Sequence, residues 1–318
     1  MKRKRKKEYE EMDVGVVLQQ MIMLMLMIII GYIVAARKIF DDHAMMNFAT
    51  LINYVTIPAM VLGSTGSAGA AGSKADSILV LLLASGVYGV MFLMSLFTPK
   101  LFRVKADEVG VMQFLTVFSN IGFMGFAVIE SIFGGGGLFY AAIYNIPNGL
   151  LIFSLGVYFL TKGRVENTLS FRKLLLMPAN LAAIISLILF LFDLSLPETI
   201  LNTAITIGGI TTPLAMILIG MAMVSIDIKA AMKNVKMYAF SFFRLLILPI
   251  AVYFLLYNLV SNELMLGVFV LLAAMPGPSM AVTLSTQYEG NVEFATTYVF
   301  ISTVLSVATI PLISLLLI

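Results

Sequence analysis

Apolar residues in this chain come in runs of about 20, and about ten such runs follow one another between short polar breaks. That length carries a helix across the roughly 30 Å hydrocarbon core of a bilayer. Strands of a membrane barrel alternate in polarity and run only about ten residues, so the runs predict helices. The predicted crossings are 14–36, 44–64, 78–97, 109–133, 138–160, 174–192, 199–224, 237–259, 264–287 and 294–318. Only 12% of the 318 residues are charged and mean hydropathy is +1.02, too little charge for a water-facing surface. The expected class is therefore an all-α integral membrane protein of about ten transmembrane helices.

Several function classes fall away on residue types alone. There is no Cys, so no disulfide, thiol nucleophile or thiolate metal site. A single His43 builds no metal cluster, and no nucleophile–base pair is apparent, so an enzyme is not expected. The Gly134–Gly137 run lacks the Lys-Ser/Thr of a phosphate loop. Net charge is +3 and concentrated in the N-terminal tail, so nucleic acid is not an expected partner, whereas the lipid bilayer is. Met21, Met23, Met25 and Met27 circle their helix and read as lipid-facing or packing surface.

Residues 1–13 form a basic tail; 14–160 and 174–318 are read as two five-helix repeats, joined by a cytoplasmic linker at 161–173. The tail and first run resemble a signal peptide, but the run is too long and lacks a cleavage site, so a retained span is expected. Orientation follows the Lys and Arg of short loops. One face collects Arg37 and Lys38; Lys100, Arg103 and Lys105; Lys162, Arg164, Arg172 and Lys173; and Lys229, Lys233 and Lys236. The opposite loops hold Lys74. This places both termini outside the cytoplasm, in a multi-pass protein expected in the plasma membrane. The basic tail argues the reverse, and a start at Met12 would remove the conflict.

The two halves echo each other. Ile57-Pro58-Ala59-Met60 in the second run matches Thr212-Pro213-Leu214-Ala215-Met216 in the seventh, and Ala127-Val128 matches Ala281-Val282. An odd number of spans per half makes the second half enter from the opposite face, an inverted 5+5 repeat. Runs 4 and 9 are the least able to be plain helices. One contains Ser119-Asn120-Ile121-Gly122-Phe123-Met124-Gly125 and the other Met275-Pro276-Gly277-Pro278-Ser279. Matched interruptions of this kind mark transport sites, because freed backbone groups at mid-bilayer need protein or a water-filled cavity around them. A Pro kink that merely packs helices is the plainer alternative. Candidate substrate-binding residues are Asn120, Gly122, Pro276, Gly277, Pro278 and Ser279 on the breaks, Asn145 and Asn148 around Pro147, and Arg244 in run 8. Arg244 either faces the interior or snorkels to the headgroups. Glu130 reads as an interfacial residue, with pairing to Arg244 or proton coupling as alternatives, and Asn53, Thr56, Thr211 and Thr212 read as helix staples, with ligation of Na⁺ or bonding of a substrate carboxylate as alternatives.

At these positions the sequence resembles the auxin efflux carrier family, which includes plant auxin exporters and bacterial malate permease-like proteins. The resemblance rests on Phe118-Ser119-Asn120-Ile121-Gly122-Phe123-Met124-Gly125, Ile132-Phe133-Gly134, Ala274-Met275-Pro276, Gln287-Tyr288-Glu289 and Ala308-Thr309-Ile310-Pro311-Leu312. It covers essentially the whole chain. It implies broken crossover helices 4 and 9, elevator-like transport, organic-anion substrates and termini outside. The sequence departs at Phe126-Ala127, where the family pattern has a proline after the Gly-x. The expected function is a secondary transporter of small organic anions, carboxylates such as malate or auxin-like acids, working by alternating access, without a cofactor but open to Na⁺ or H⁺ coupling. The alternatives are a sodium- or proton-coupled symporter or antiporter of related fold and a non-transporting membrane sensor or scaffold. A homodimer is the expected assembly.

Overall fold

The computed structural model describes residues 14–40, 42–67, 72–161, 176–225 and 235–317. Within them the chain is helical, with no strand. The basic tail, Met12, and the loop residues Lys162, Arg164, Arg172, Lys173, Lys229 and Lys233 lie outside the described residues.

In chain order the helices are α1 (Val14–Ala36), α2 (Asp42–Leu51), α3 (Ile57–Gly63), α4 (Lys74–Ser95), α5 (Thr98–Leu101), α6 (Val109–Val117), α7 (Phe126–Leu151) and α8 (Val157–Thr161). They continue as α9 (Pro178–Leu191), α10 (Glu198–Gly208), α11 (Thr211–Ala222), α12 (Val235–Phe242), α13 (Leu248–Leu256), α14 (Glu263–Ala274), α15 (Met280–Gln287) and α16 (Val292–Ser314). Among the described residues, 6 helical stretches are long and apolar enough to cross a bilayer. One of them, Val109–Thr161, has 53 residues, too many for one crossing. It turns at Gly134, whose φ of 64° and ψ of −160° lie outside the range comfortable for a side chain. The outer surface carries Phe192 at 71% exposure and Phe97 and Phe254 at 67%. Rings so exposed are costly in water and ordinary in lipid, so this is an integral membrane protein.

Two prolines inside the spans are accommodated by wide turns, whereas Pro147 and Pro311 lie within α7 and α16. Pro58 and Pro249 each follow a π-helical turn, Ile52–Thr56 and Phe243–Ile247. In those turns Ile57 N–H reaches back to Ile52 O and Leu248 N–H to Phe243 O. A proline in a plain α-helix presses its ring on the carbonyl four residues back; the extra residue moves that carbonyl away.

The helices sort into two packing groups. One joins α1, α3, α9, α10 and α11; the other joins α4, α6, α7, α12, α13, α14 and α16. The first is pinned by backbone contact between α1 and α11. A Cβ on Gly31 would collide with the Ile217 carbonyl, and one on Gly220 with the Ile28 carbonyl. Small residues let helices approach this closely in lipid, where packing replaces the hydrophobic drive. The groups touch where α9 packs on α7 and α1 on α16. At one surface an exposed ion pair between Lys74 and Asp193 joins α4 to the α9–α10 link.

Gly220→Val should therefore cost about 3 kcal/mol or more by forcing α1 and α11 apart. Gly89→Ala, in open space on α4, should be neutral or stabilising by up to about 1 kcal/mol. Circular-dichroism melts of the two variants in detergent check the contrast; equal Tm values would contradict the pinned crossing.

Candidate functional site

Run 4 breaks without the proline that the family pattern has after its Gly-x. Helix α6 ends where Phe118 turns extended (φ −102°, ψ 141°). Asn120 then takes φ −77° and ψ 67°, and Ile121 N–H bonds Ser119 O at 2.9 Å. Those angles and that bond are an inverse γ-turn. Helix resumes through a π turn, Ile121–Gly125, in which Gly125 N–H donates to Asn120 O at 2.8 Å. Run 9 breaks by composition: α14 ends at Ala274, Met275 is extended, and Pro276 and Pro278 offer no N–H to a helix. Helix resumes at Met280.

The two breaks meet and satisfy one another. Asn120 N–H donates to Pro276 O at 2.9 Å, and Gly277 N–H donates to Ser302 Oγ of α16 at 3.1 Å. Gly277 lies against the Tyr298 ring, which a Cβ would strike at 2.8 Å. Arg244, on the π turn of run 8, lies behind the crossing and is 1% exposed. Its Nε donates to Leu115 O at 3.1 Å, Nη1 to Ala273 O at 2.6 Å and Nη2 to Ser119 Oγ at 2.6 Å. Snorkelling is thus excluded in favour of the interior.

A cavity of about 250 Å³ opens on the other side of the crossing. The structure brings six of the sequence-derived candidates to its wall: Asn120, Gly122, Pro278, Ser279, Asn145 and Asn148. Pro276, Gly277 and Arg244 do not line it. Pro276 and Gly277 are turned into the crossing by the bonds just described, and the Arg244 guanidinium is consumed by the carbonyls behind it. Asn148 Nδ2 donates to Asn145 Oδ1 at 3.1 Å and its own Oδ1 accepts from the Tyr88 hydroxyl at 3.0 Å, so α4 and α7 fix this pair. Asn120 is 4% exposed, yet its carboxamide has no hydrogen-bond partner among the described residues. Asn53 also lines the cavity. Asn180 is a wall residue that residue-type reasoning missed. Its signal was Pro178-Ala179-Asn180, a proline opening a helix with a carboxamide in the first turn.

Among the described residues, no charged side chain lines the cavity. Glu130 is half-buried and does not pair with Arg244; it accepts from Thr212 Oγ1 at 3.1 Å, across the boundary between the two packing groups. No group of acidic, His or Cys side chains suited to a metal occurs among the described residues.

The profile of a family described as membrane transport protein matches residues 16–170 and 164–314. The chain belongs to that family, the auxin efflux carriers. Curated relatives agree. An uncharacterised transporter of Methanothermobacter thermautotrophicus is 26% identical over 297 residues, spanning 91% of this chain and 95% of that protein. One of Methanocaldococcus jannaschii is 26% identical over 309 residues, with 90% and 94% covered. The transporter YfdV of Escherichia coli K12 is 23% identical over 294 residues, with 90% and 92% covered. The protein is therefore a multi-pass membrane transporter of this family, and these relationships indicate a transporter, not an enzyme.

Ser302→Ala should leave the Gly277 N–H buried without an acceptor, at about 1–3 kcal/mol. The expected result is a lowered Tm with an unchanged elution volume on size exclusion; an unchanged Tm would remove Ser302 from the support of the break.

Proposed function

We propose that the protein is a secondary transporter of small organic anions, with the cavity at the crossing as its binding site. The observation that carries this reading is the Asn120 carboxamide, 4% exposed and unpartnered on the cavity wall. A buried amide left unpaired is costly, and a solute carboxylate accepting from it would remove that cost. The charge preference follows from three helix starts. Ile121–Phe123, Ser279–Met280 and Pro178–Asn180 all line the cavity, and each is the beginning of a helix. A helix N-terminus carries roughly half a positive charge and unsatisfied amides. An uncharged wall with such amides suits a monovalent or divalent carboxylate, malate-like or auxin-like, and keeps binding weak enough for release.

Alternating access would move the group holding α6, α7, α14 and α16 against the group pinned by α1 and α11. In this reading the halves are inverted five-helix repeats with crossing helices 4 and 9, the termini lie outside, and the membrane is the plasma membrane. A homodimer through the pinned group is compatible with it. The sensor or scaffold alternative is disfavoured by a solute-sized cavity with an unpaired amide in its wall.

Asn120→Ala should abolish uptake of malate or indole-3-acetate into proteoliposomes while folding stays intact by size exclusion. Uptake equal to the parent chain would remove Asn120 from the site. Coupling to protons is the favoured form over sodium, because Glu130 is hydrogen-bonded across the sliding boundary. Glu130→Gln should abolish stimulation of uptake by an inward proton gradient, and persistence of that stimulation would exclude Glu130 as the coupling group.

A further inference from the structure

The crossing contains a buried cation with no anion beside it. Arg244 is 1% exposed, and among the described residues no carboxylate lies within ion-pair distance of it. A lone buried charge is strongly unfavourable unless something negative surrounds it. What surrounds it is backbone. Leu115 O and Ala273 O belong to the last turns of α6 and α14, the two half-helices that end at the crossing. A helix C-terminus carries roughly half a negative charge, so two of them together come to about one. One guanidinium is matched by the ends of two helices.

We propose that Arg244 sets the charge preference of the cavity without touching the solute. Arg244 cancels the negative ends of α6 and α14, so the positive ends of the helices starting at Ile121 and Met280 face the cavity unopposed. Without Arg244, each interrupted helix would bring a positive and a negative end to the same spot, and their fields would largely offset. The inference rests on the anion reading for its biological meaning, but its physical content does not depend on which solute is carried. Ser119 makes a third contact, its Oγ accepting from Nη2, and ties the guanidinium to the residue beside Asn120. Arg244 is thus a positioning residue whose effect reaches the cavity through field and geometry.

The test uses the absence of Cys in the chain. Ser279→Cys places one thiol on the cavity wall of the full-length protein. In nanodiscs, its modification rate is measured with an anionic methanethiosulfonate (the ethylsulfonate) and a cationic one (the ethyltrimethylammonium). Each rate is divided by that for free 2-mercaptoethanol, and the anion-to-cation ratio reports the local potential, since thiol reactivity cancels. With Arg244 present the ratio should exceed one. Adding Arg244→Gln should lower it about tenfold or more, while Arg244→Lys, which keeps the charge, should hold it above one even if Tm falls. A ratio that is the same in the Gln variant as in the parent overturns the proposal. If the Gln variant does not fold, the parent ratio decides: a value at or below one overturns the proposal. The anion reading itself fails separately, through the uptake assays, so the two cannot be confused.

Discussion

A backbone amide in the middle of an apolar slab has no water to fall back on. Two interrupted helices bring several such groups to the same depth, and the bond from Asn120 N–H to Pro276 O lets each break satisfy the other. Around that bond the remaining groups are assigned in turn. Gly277 N–H goes to Ser302, the last carbonyls of α6 and α14 go to Arg244, and the Asn120 carboxamide is left for the cavity. The cavity exists because the donors and acceptors behind it have been settled.

The surroundings follow from the same constraint. Non-helical backbone at this depth must be walled by protein, and Val109–Thr161 is the most buried of the long apolar stretches. The exposed apolar surface falls to helices that carry no breaks of this kind, such as α1, with Leu26 and Ile30 turned outward. Both sets of helices present apolar side chains to lipid; one fixes the frame through Gly31 and Gly220, and the other wraps α4, α12 and α13 around the buried crossing.

Much of this was legible in the residues. Apolar runs give the helices because lipid leaves the backbone no other option, and Pro276-Gly277-Pro278 announces its own break. Asn145 and Asn148 stood out as carboxamides beside a proline inside a span. The part that stayed hidden involves partners that residue types do not encode. Arg244 looked like a group for a solute because its real partners are main-chain carbonyls of distant helices. Asn180 was not singled out because its place on the wall depends on how α9 docks against α7. The wide turns before Pro58 and Pro249 were equally silent, since only the backbone path distinguishes them from plain helix.

The two breaks are not equivalent in kind. Pro276 and Pro278 lack the hydrogen that a helix would use, so run 9 is short of two backbone donors in any conformation. In run 4 every residue from Phe118 to Phe126 keeps its amide, and the interruption consists of a few torsion angles around Asn120. One discontinuity is therefore written into covalent structure, while the other consists of torsion angles and hydrogen bonds alone. The unpaired carboxamide sits on the second.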